Sequence, residues 1–378
     1  MSRPEFELAQ VLQRYGAQFV QERKPNGYQL RVLDAIARCR TASLGGHVDR
    51  CDACGEERIS YNSCRNRHCP KCQGALQMAW VERQMQRTLP VKYFHVVFTV
   101  PEALNAICQV DSRWFYNLLF RCVSQTLNGF GYSHYGVETG AICLLHTWGQ
   151  NLSLHPHIHC IVPGLGVTPS GKAKRIGRGG KYLYPDKALG LSFRGKVMES
   201  INRFLLDVGR RGEFAAHIRA AWAHSWVVDT SPSLASARHV VGYLGQYTNR
   251  VAISNHRIVA ISDRGIRFRI KDYADHGRSK IMELAPVEFL RRFSLHILPK
   301  GFVKIRYFGI CSAAWQQLIE LPPVETPPER VEAANGGGCE TRSGYVCPFC
   351  EKGRMRPVAE LPRIRSPSTE WLAFPRRN

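Results

Sequence analysis

The sequence predicts an α+β fold, in which helices lie on a central antiparallel sheet and a small helical, cysteine-rich domain comes first. Three observations support this prediction. The body of the chain opens with a buried strand and continues with a helix and then two successive strands, an order typical of antiparallel sheets with helices on one face. Two segments of helical periodicity come before it, and a cluster of cysteines separates the two parts. The expected domains are residues 1–90, residues 91–310 and a tail over 311–378.

The composition indicates a negatively charged partner. The 378 residues carry a formal net charge of +22, and 44% of them are hydrophobic, which is enough for an ordinary core. A positive surplus of this size most often serves nucleic acid and less often an anionic membrane. A membrane protein would need a run of about 18 apolar residues or an export leader, and we find neither. We therefore expect a cytoplasmic protein whose 14 cysteines stay reduced, as metal ligands or core thiols.

The first predicted elements are two helices. Apolar side chains recur at helical spacing between residues 5 and 24, and Pro25-Asn26-Gly27 then interrupts the pattern. A second helix follows through Leu30, Leu33 and Ile36.

Two Cys-x2-Cys pairs, Cys51/Cys54 and Cys69/Cys72, follow these helices and are separated by 14 residues. Structural zinc is held by four ligands in a tetrahedron. Two Cys-x2-Cys pairs at this distance, each called a hook below, are typical of such sites. The sequence therefore predicts a zinc site from these four cysteines, in which Cys64 or His68 could replace one member.

The tail contains a second, incomplete set of cysteines. A linker rich in proline and glycine ends near residue 338, and Cys339, Cys347 and Cys350 follow it. Three cysteines fall short of the four ligands of structural zinc. A second zinc would therefore need a ligand from elsewhere, such as Cys311 or a histidine.

The body of the chain is expected to contain both strands and helices. Helices are expected at about 73–88, 111–128, 194–209, 212–224 and 287–297. Strands are expected at 93–100, 141–148, 154–163, 225–229, 251–254, 257–262, 266–271 and 302–308.

The strand at 154–163 opens with histidines at every second position, His155, His157 and His159. Alternate residues of a strand point to the same face, so His157 and His159 place two imidazoles together. Two neutral imidazoles can hold a divalent cation and leave coordination positions open for a substrate oxygen. The alternative is an edge strand whose polar face happens to carry histidines.

Tyr243 and Tyr247 stand four residues apart in a helix expected over 238–247, so both phenols lie on one face. Gly242 and Gly245 each cost about 1 kcal/mol in a helix interior, which indicates close approach by another group. A phenol with an ordinary pKa of about 10 is a poor nucleophile, but a cation that polarises a phosphate favours its attack. The resulting phosphotyrosine keeps the energy of the broken phosphodiester bond. Two core aromatics are the alternative.

Basic and polar side chains suited to a phosphate backbone occur in three places: the cysteine loop, a glycine-rich loop over 164–181 and the segment after the tyrosines. Solvated loop surfaces are the alternative. The candidates for DNA contact are Arg65, Arg67, Lys71, Lys172, Lys174, Arg175, Arg178, Asn249, Arg250, Asn255 and Arg257.

Taken in order, these motifs resemble the two-tyrosine transposases of the insertion sequence 91 family, which belong to the HUH single-strand endonucleases. His157-Ile158-His159 matches the histidine-hydrophobe-histidine motif of those enzymes. Further blocks that resemble the family are Phe98-Thr99-Val100-Pro101, YNSCRNRHCPKCQ (61–73), YLGQYTNRVAISN (243–255) and ILPKGFVKIRYFG (297–309). The resemblance extends from about residue 28 to residue 310.

The resemblance implies an HUH palm of RRM- or ferredoxin-like type and rolling-circle-type transposition on single-stranded DNA at insertion-sequence ends. One tyrosine would nick an end, leaving a 5′-phosphotyrosine and a free 3′-OH, and the other would serve the second strand transfer. The resemblance also implies that the zinc domain reads end DNA and that the histidines hold Mg²⁺ or Mn²⁺, although imidazole chemistry alone favours Zn²⁺. Candidates for a third, polar metal ligand are His155, Gln150, Gln246 and Asn249.

Two other functions fit parts of the sequence. A plasmid or phage rolling-circle replication initiator would use similar histidines and tyrosines. A non-catalytic zinc-dependent DNA-binding protein would use the cysteines and the charge alone, and it would have no need of the paired histidines and tyrosines.

Overall fold

The chain is seen here in a computed structural model that describes residues 4–72, 89, 91–177, 183–234, 251–272, 275–316 and 344–364. It forms two compact units, each built from separated segments. Unit 1 comprises residues 1–76, 250–297 and 329–378, and unit 2 comprises residues 77–249 and 298–328. These units cross the boundaries expected at residues 90 and 310. The reason is that strands from the tail and elements from 250–297 pair and pack with the first elements of the chain.

The bounds of the elements are as follows. The helices of the described chain are α1 (Leu8–Arg23), α2 (Gly27–Ala37), α3 (Asn105–Val110), α4 (Ser112–Tyr135), α5 (Asp186–Asp207), α6 (Ala215–Ala223), α7 (Pro286–Ser294) and α8 (Ala313–Gln316). The strands are β1 (Gly46–Cys51), β2 (Glu57–Tyr61), β3 (Tyr93–Thr99), β4 (Gly140–Trp148), β5 (Leu154–Pro163), β6 (Leu165–Val167), β7 (Ala173–Arg175), β8 (Val228–Leu234), β9 (Ile258–Ile261), β10 (Ile266–Asp272), β11 (Arg278–Leu284), β12 (Ile305–Gly309), β13 (Tyr345–Val346) and β14 (Arg354–Leu361). Among the described helices, none has the length and apolarity to cross a bilayer.

Unit 1 contains two antiparallel sheets and the first two helices. Strands β13, β14, β1 and β2 form one sheet in that order, and β11, β10 and β9 form the other. Asn26 caps the N-terminus of helix α2, and its side chain accepts hydrogen bonds from the backbone N–H groups of Tyr28 and Gln29. The Gln29 side chain in turn accepts from Asn26 N–H. This reciprocal capping satisfies donors that the first turn of a helix leaves unpaired. Helix α1 packs against both α2 and α7.

Unit 2 is built on a five-stranded sheet with the order β12-β4-β5-β3-β8, in which every pairing is antiparallel. Strands β4 and β5 form a hairpin closed by the Gly149 N–H, which donates to the carbonyl of Ser153 at 3.0 Å. A register shift between His146 and Trp148 interrupts the pairing near this turn. Such irregularities twist a strand locally and often lie beside functional sites.

Helices α4 and α5 cover one face of this sheet. Phe98 of β3 lies opposite Ile158 of β5, and its ring meets Phe193 of α5 edge to face with centroids 5.1 Å apart. Phe120 of α4 packs on Phe308 of β12. Side chains alternate between faces along a strand, so the neighbours of Ile158 in β5, His157 and His159, lie on the opposite face. The helices thus bury one side of the sheet, and the histidines belong to the other.

Several boundaries differ from the sequence prediction. Helix α4 continues to Tyr135 instead of ending near 128, because Gly131 lets the helix approach Thr139 closely. Helix α5 begins at Asp186, earlier than expected, and β8 starts at Val228. The strand expected at 251–254 is absent, and Asn255–Arg257 forms a 3₁₀ turn there. The helices predicted at 73–88 and 238–247 lie outside the described residues.

Candidate functional site

Three histidines converge on the face of the sheet opposite α4 and α5 in unit 2. His157 and His159 come from β5, and His146 comes from β4, where it pairs directly with His157. One ring nitrogen from each of the three lies within 4.8 Å of the others. The ring centroids of His146 and His159 are 4.7 Å apart, and those of His157 and His159 are 4.9 Å apart. Donors at these separations reach one shared ion after small side-chain rotations.

Hydrogen bonding fixes the tautomer of His157. Its Nδ1 lies 2.7 Å from the backbone carbonyl of His155. A carbonyl oxygen only accepts, so Nδ1 carries the proton and Nε2 keeps a lone pair for a metal. Burial lowers the pKa of His157 to about 4, so the ring is neutral at pH 7. Neutral imidazole with one nitrogen already engaged is the form that ligates metals.

A fourth histidine orients His159. His95 Nε2 of β3 lies 2.9 Å from His159 Nδ1, and the two rings stack with an interplanar angle of 15°. Because this contact engages Nδ1, an ion would bind His159 through Nε2. Burial lowers the pKa of His95 to about 4 as well, although the nearby Asp229 carboxylate opposes that shift. His95 therefore has the position of an outer-shell partner, which sets the orientation and tautomer of a ligand.

The sequence did not predict His146 as the third metal ligand. Of the candidates that it gave, His155 is not one of the three converging histidines, Gln150 lies in the turn between β4 and β5, and Gln246 and Asn249 lie outside the described residues. His146 is separated from His157 by a hairpin, so His-x-His spacing within one strand does not reveal it. The sequence does contain a signal for His146. Gly149 and Asn151 lie between two apolar runs, which predicts a hairpin and hence antiparallel pairing of the two strands.

Unit 1 contains a four-cysteine cluster made of Cys39, Cys64, Cys69 and Cys72. The Sγ atoms of Cys39 and Cys64 each lie 3.6 Å from that of Cys72. Thiol contacts, of which that with Cys39 is the largest, move the pKa of Cys72 far below its ordinary value. Four sulfurs at these distances suit a tetrahedral ion with bonds of about 2.3 Å.

This cluster corrects the expected zinc set. Cys69 and Cys72 belong to it, but Cys51 and Cys54 lie instead with Cys347 and Cys350 in a separate group. Cys64 is a member of the cluster together with both Cys69 and Cys72, so it does not substitute for either of them. His68 is not a member of the cluster. The fourth member is Cys39, which follows α2 and has no partner at hook spacing, so the sequence pattern gave no sign of it. Strand pairing of β1 with β14 is what moves Cys51 away from Cys69.

The basic residues of the cysteine loop differ in their surroundings. Arg65 is exposed in the left-handed region at φ 52°. Lys71 is held inside the unit, because its Nζ lies 2.6 Å from Glu7 Oε2 and donates to the carbonyl of Cys39. Burial lowers the pKa of Arg67. Arg65 is therefore the member of this group that the fold leaves most open to solvent.

The other predicted DNA contacts fall into three groups. Lys172, Lys174 and Arg175 are exposed on the β6–β7 hairpin, and Lys174 Nζ donates to the carbonyl of Tyr135 at 2.6 Å. Asn255 and Arg257 are used within unit 1: Asn255 Oδ1 accepts from Leu8 N–H, and Arg257 donates to the carbonyl of Arg269. The residues that lie outside the described part of the chain are Tyr243, Tyr247, Arg178, Asn249, Arg250 and Cys339.

Comparisons with known proteins place these features in a family. Residues 140–317 match a family model described as "Putative transposase", and residues 11–100 match one described as "Transposase zinc-binding domain". The first match includes the three histidines. The second includes the cluster of Cys39, Cys64, Cys69 and Cys72, and together the match and the cluster support a structural zinc in this domain.

Two curated relatives carry the same name. The chain is 39% identical over 401 residues to "Putative transposase y4qJ" of Sinorhizobium fredii (strain NBRC 101917 / NGR234), covering 98% of this chain and 99% of that protein. It is 27% identical over 315 residues to "Transposase for insertion sequence element IS801" of Pseudomonas savastanoi pv. phaseolicola, covering 79% of this chain and 75% of the relative. No solved structure matches the chain. The near full-length similarity, together with the zinc domain and the transposase match, shows that the chain belongs to the transposases of the insertion sequence 91 family.

Proposed function

We propose that this transposase is an HUH single-strand DNA endonuclease and strand transferase. It would nick and rejoin single-stranded DNA at insertion-sequence ends through a 5′-phosphotyrosine intermediate, in rolling-circle-type transposition. The observation that supports this function most strongly is the convergence of His146, His157 and His159 on one sheet face. A structural role for these histidines would not require three imidazole donors to meet at one point.

The histidine donors fit a divalent cation. Three imidazoles on one side of an ion leave its other positions open for phosphate and water oxygens. Mg²⁺ prefers oxygen ligands throughout, so of the two cations that the family implies we favour Mn²⁺. When bound, the cation would polarise the scissile phosphate and stabilise the charge that develops on it.

Tyr243 and Tyr247 are the proposed nucleophiles, and this assignment rests on their spacing in the sequence and on the family motif. Attack by a phenolate oxygen forms the bond to phosphorus and releases the 3′-oxygen of the neighbouring nucleotide, which takes up a proton. Attack by that 3′-OH on the phosphotyrosine reverses the step and reseals the strand. A second tyrosine allows a second strand to be held before the first is released.

The exposed cations of the chain are proposed to hold the DNA backbone. Arg65 belongs to the zinc-binding domain, and Lys172 and Arg175 lie on the β6–β7 hairpin of unit 2. Phosphate contacts of this kind supply affinity without sequence preference. Asn255 and Arg257 are not part of this proposal, because their side chains already hold unit 1 together.

The test is an adduct assay with a labelled single-stranded oligonucleotide that carries a candidate insertion-sequence end, incubated with the full chain and Mn²⁺. We expect a protein–DNA band that survives denaturation, requires the metal and is lost in the Tyr243→Phe/Tyr247→Phe double variant and in His157→Ala. Tyr132→Phe is the matched control, since Tyr132 is 48% exposed and lies on α4, outside the Tyr-x3-Tyr motif of the sequence.

An adduct that persists in the double tyrosine variant would exclude these nucleophiles. Metal-independent binding with no covalent band, over several candidate ends, would favour a zinc-dependent binding protein. A circular dichroism spectrum that His157→Ala leaves unchanged separates loss of chemistry from loss of fold.

A further inference from the structure

We infer that Cys51, Cys54, Cys347 and Cys350 form a second structural zinc site, which fastens the segment 344–364 to the first strands of the chain. The zinc-binding domain of this protein would then require residues far beyond the 11–100 match. The sequence left the tail cysteines one ligand short. In the structure Cys347 and Cys350 of the tail supply two ligands, and the other two are Cys51 and Cys54, which sequence spacing alone had assigned to the other hook.

The sulfur geometry fits a tetrahedral ion. The Sγ atoms of Cys51 and Cys350 are 3.7 Å apart, and those of Cys54 and Cys347 are 3.8 Å apart. Four sulfurs at about 2.3 Å from a tetrahedral zinc stand about 3.8 Å from one another. All four sulfurs lie within 4.8 Å. The pairs that come together are 299 and 293 residues apart in the chain, so local turn geometry alone does not bring them together.

The two hooks are built in the same way. The N–H of Gly55 donates to the carbonyl of Cys51 at 3.1 Å, and the N–H of Glu351 donates to the carbonyl of Cys347 at 3.0 Å. In each hook the residue after the second cysteine has positive φ, 76° at Gly55 and 57° at Glu351. A glutamate with positive φ, such as Glu351, costs free energy. Other interactions at the hook must therefore stabilise the backbone conformation that the two hooks share.

Backbone N–H groups point at the sulfurs of both hooks. Cys51 Sγ accepts from the N–H of Ala53 and of Cys54, each at 3.4 Å. Cys347 Sγ accepts from Phe349 N–H, and Cys350 Sγ accepts from Gly353 N–H, also at 3.4 Å. Donors aimed at sulfur stabilise the thiolate, which is the form that binds a metal.

Close approach of the two hooks depends on Gly353. A Cβ at this position would lie 2.5 Å from Cys51 Sγ and 2.6 Å from Ala53 Cβ. The contact continues along the backbone, because Asp52 N–H donates to the carbonyl of Arg354 at 3.1 Å and Arg354 N–H donates to Asp52 Oδ1 at 2.8 Å. The segments are thus fitted to each other at the sulfur cluster itself.

Besides the pairing of β1 with β14, the described apolar core at this point is small. It consists of Cys51, Cys347 and Met355, with Cys350 packed against them. Around it Val346, Phe349 and Val358 are exposed. Small modules with so little buried area are usually stabilised by a metal or by disulfides, and a structural zinc contributes its binding energy directly to folding. A metal ion bound by the four thiolates would supply the stabilisation that this small apolar core does not provide.

The test compares the zinc content of purified full-length variants by elemental mass spectrometry. Cys51→Ala/Cys54→Ala and Cys347→Ala/Cys350→Ala should each hold one zinc fewer than the unchanged chain. The quadruple variant should also hold only one fewer, because both pairs belong to one site. Cys311→Ala is the matched control, a buried cysteine outside both clusters, and should lose no zinc.

The inference is overturned if Cys347→Ala/Cys350→Ala retains the full zinc content, if the quadruple variant loses two ions, or if iron occupies the cluster. If a variant fails to fold, a measurement on the unchanged chain still tests the inference. Chelation should expose Cys51, Cys54, Cys347 and Cys350 to iodoacetamide at one common rate, read by peptide mass spectrometry. Alkylation of Cys347 and Cys350 while all zinc is still bound would also overturn the inference.

Discussion

At the scale of single residues, the histidine site is defined by which nitrogen of each ring is already engaged. His157 Nδ1 contacts the His155 carbonyl and His159 Nδ1 contacts His95, so an ion would bind both rings through Nε2. His146 completes the set from the neighbouring strand. The sequence indicated two of these residues by their spacing. The third, His146, and His95, the partner of His159, became evident only through the pairing of β5 with β4 and β3.

His146→Ala should weaken the binding of Mn²⁺ by at least about tenfold. Loss of an outer-shell partner costs about 10- to 100-fold in metal affinity, and loss of a direct ligand costs no less. Isothermal titration calorimetry on the full chain measures the change. His155→Ala is the control, because the carbonyl that holds His157 is backbone and survives the substitution. Equal Mn²⁺ affinity in His146→Ala and the unchanged chain would remove His146 from the site.

His95→Phe should lower the affinity for Mn²⁺ by about 10- to 100-fold, with the fold retained. Phenylalanine keeps a ring in the stack with His159 but has no nitrogen to meet Nδ1. The same titration gives the affinity, and thermal unfolding of the metal-free chain reports stability. An unchanged affinity would mean that His95 only fills space.

At the scale of elements, packing decides where the sequence pattern misleads. Apolar periodicity located α1, and short apolar runs located β3, β4 and β5, most of whose residues are buried. Strands β1, β2, β13 and β14 were not expected. The last three are largely exposed, and the buried positions of β1 include the polar Asp49. They exist because distant segments pair with one another. Helix α4 likewise passes through Gly129 and Gly131, where helix propensity alone would end it.

These two glycines provide a matched pair of substitutions in one helix. Gly129→Ala should raise the free energy of unfolding by about 0.5–1 kcal/mol, because a Cβ there meets nothing within 4 Å and alanine is the better helix former. Gly131→Ala should lower it, since its Cβ would lie 2.4 Å from Thr139 Cγ2 and 2.8 Å from the carbonyl of Val137. Shifts of the thermal unfolding midpoint measure both. Equal shifts of one sign would contradict the packing assigned to α4.

At the scale of the whole molecule, charge and chain organisation set what the protein can bind. The net charge of +22 predicted a nucleic-acid partner, and membership of a transposase family agrees with it. The order of segments within the units was not predictable. Unit 1 recruits residues 250–297 and part of the tail, and such pairing over long distances leaves no periodic signal in the sequence.

Affinity for single-stranded DNA should fall linearly with salt on logarithmic axes. Lys172→Ala should make the slope shallower by about 0.7, the value for one phosphate contact on a single strand. Lys280→Ala is the control, because its Nζ already lies 2.9 Å from Asp272 and 3.0 Å from Asp275. Fluorescence anisotropy over a range of KCl concentrations gives the slopes. A slope that Lys172→Ala leaves unchanged would remove the β6–β7 hairpin from the DNA-binding surface.

The proposed function requires that His146, His157 and His159 hold one divalent cation for chemistry on DNA. The most direct measurement is anomalous diffraction from crystals of the full chain grown with Mn²⁺. We predict a single peak in unit 2, about 2 Å from one nitrogen of each of His146, His157 and His159, with its remaining positions open. A peak bound by His157 and His159 but not by His146, or no peak at all among the three rings, would contradict the account.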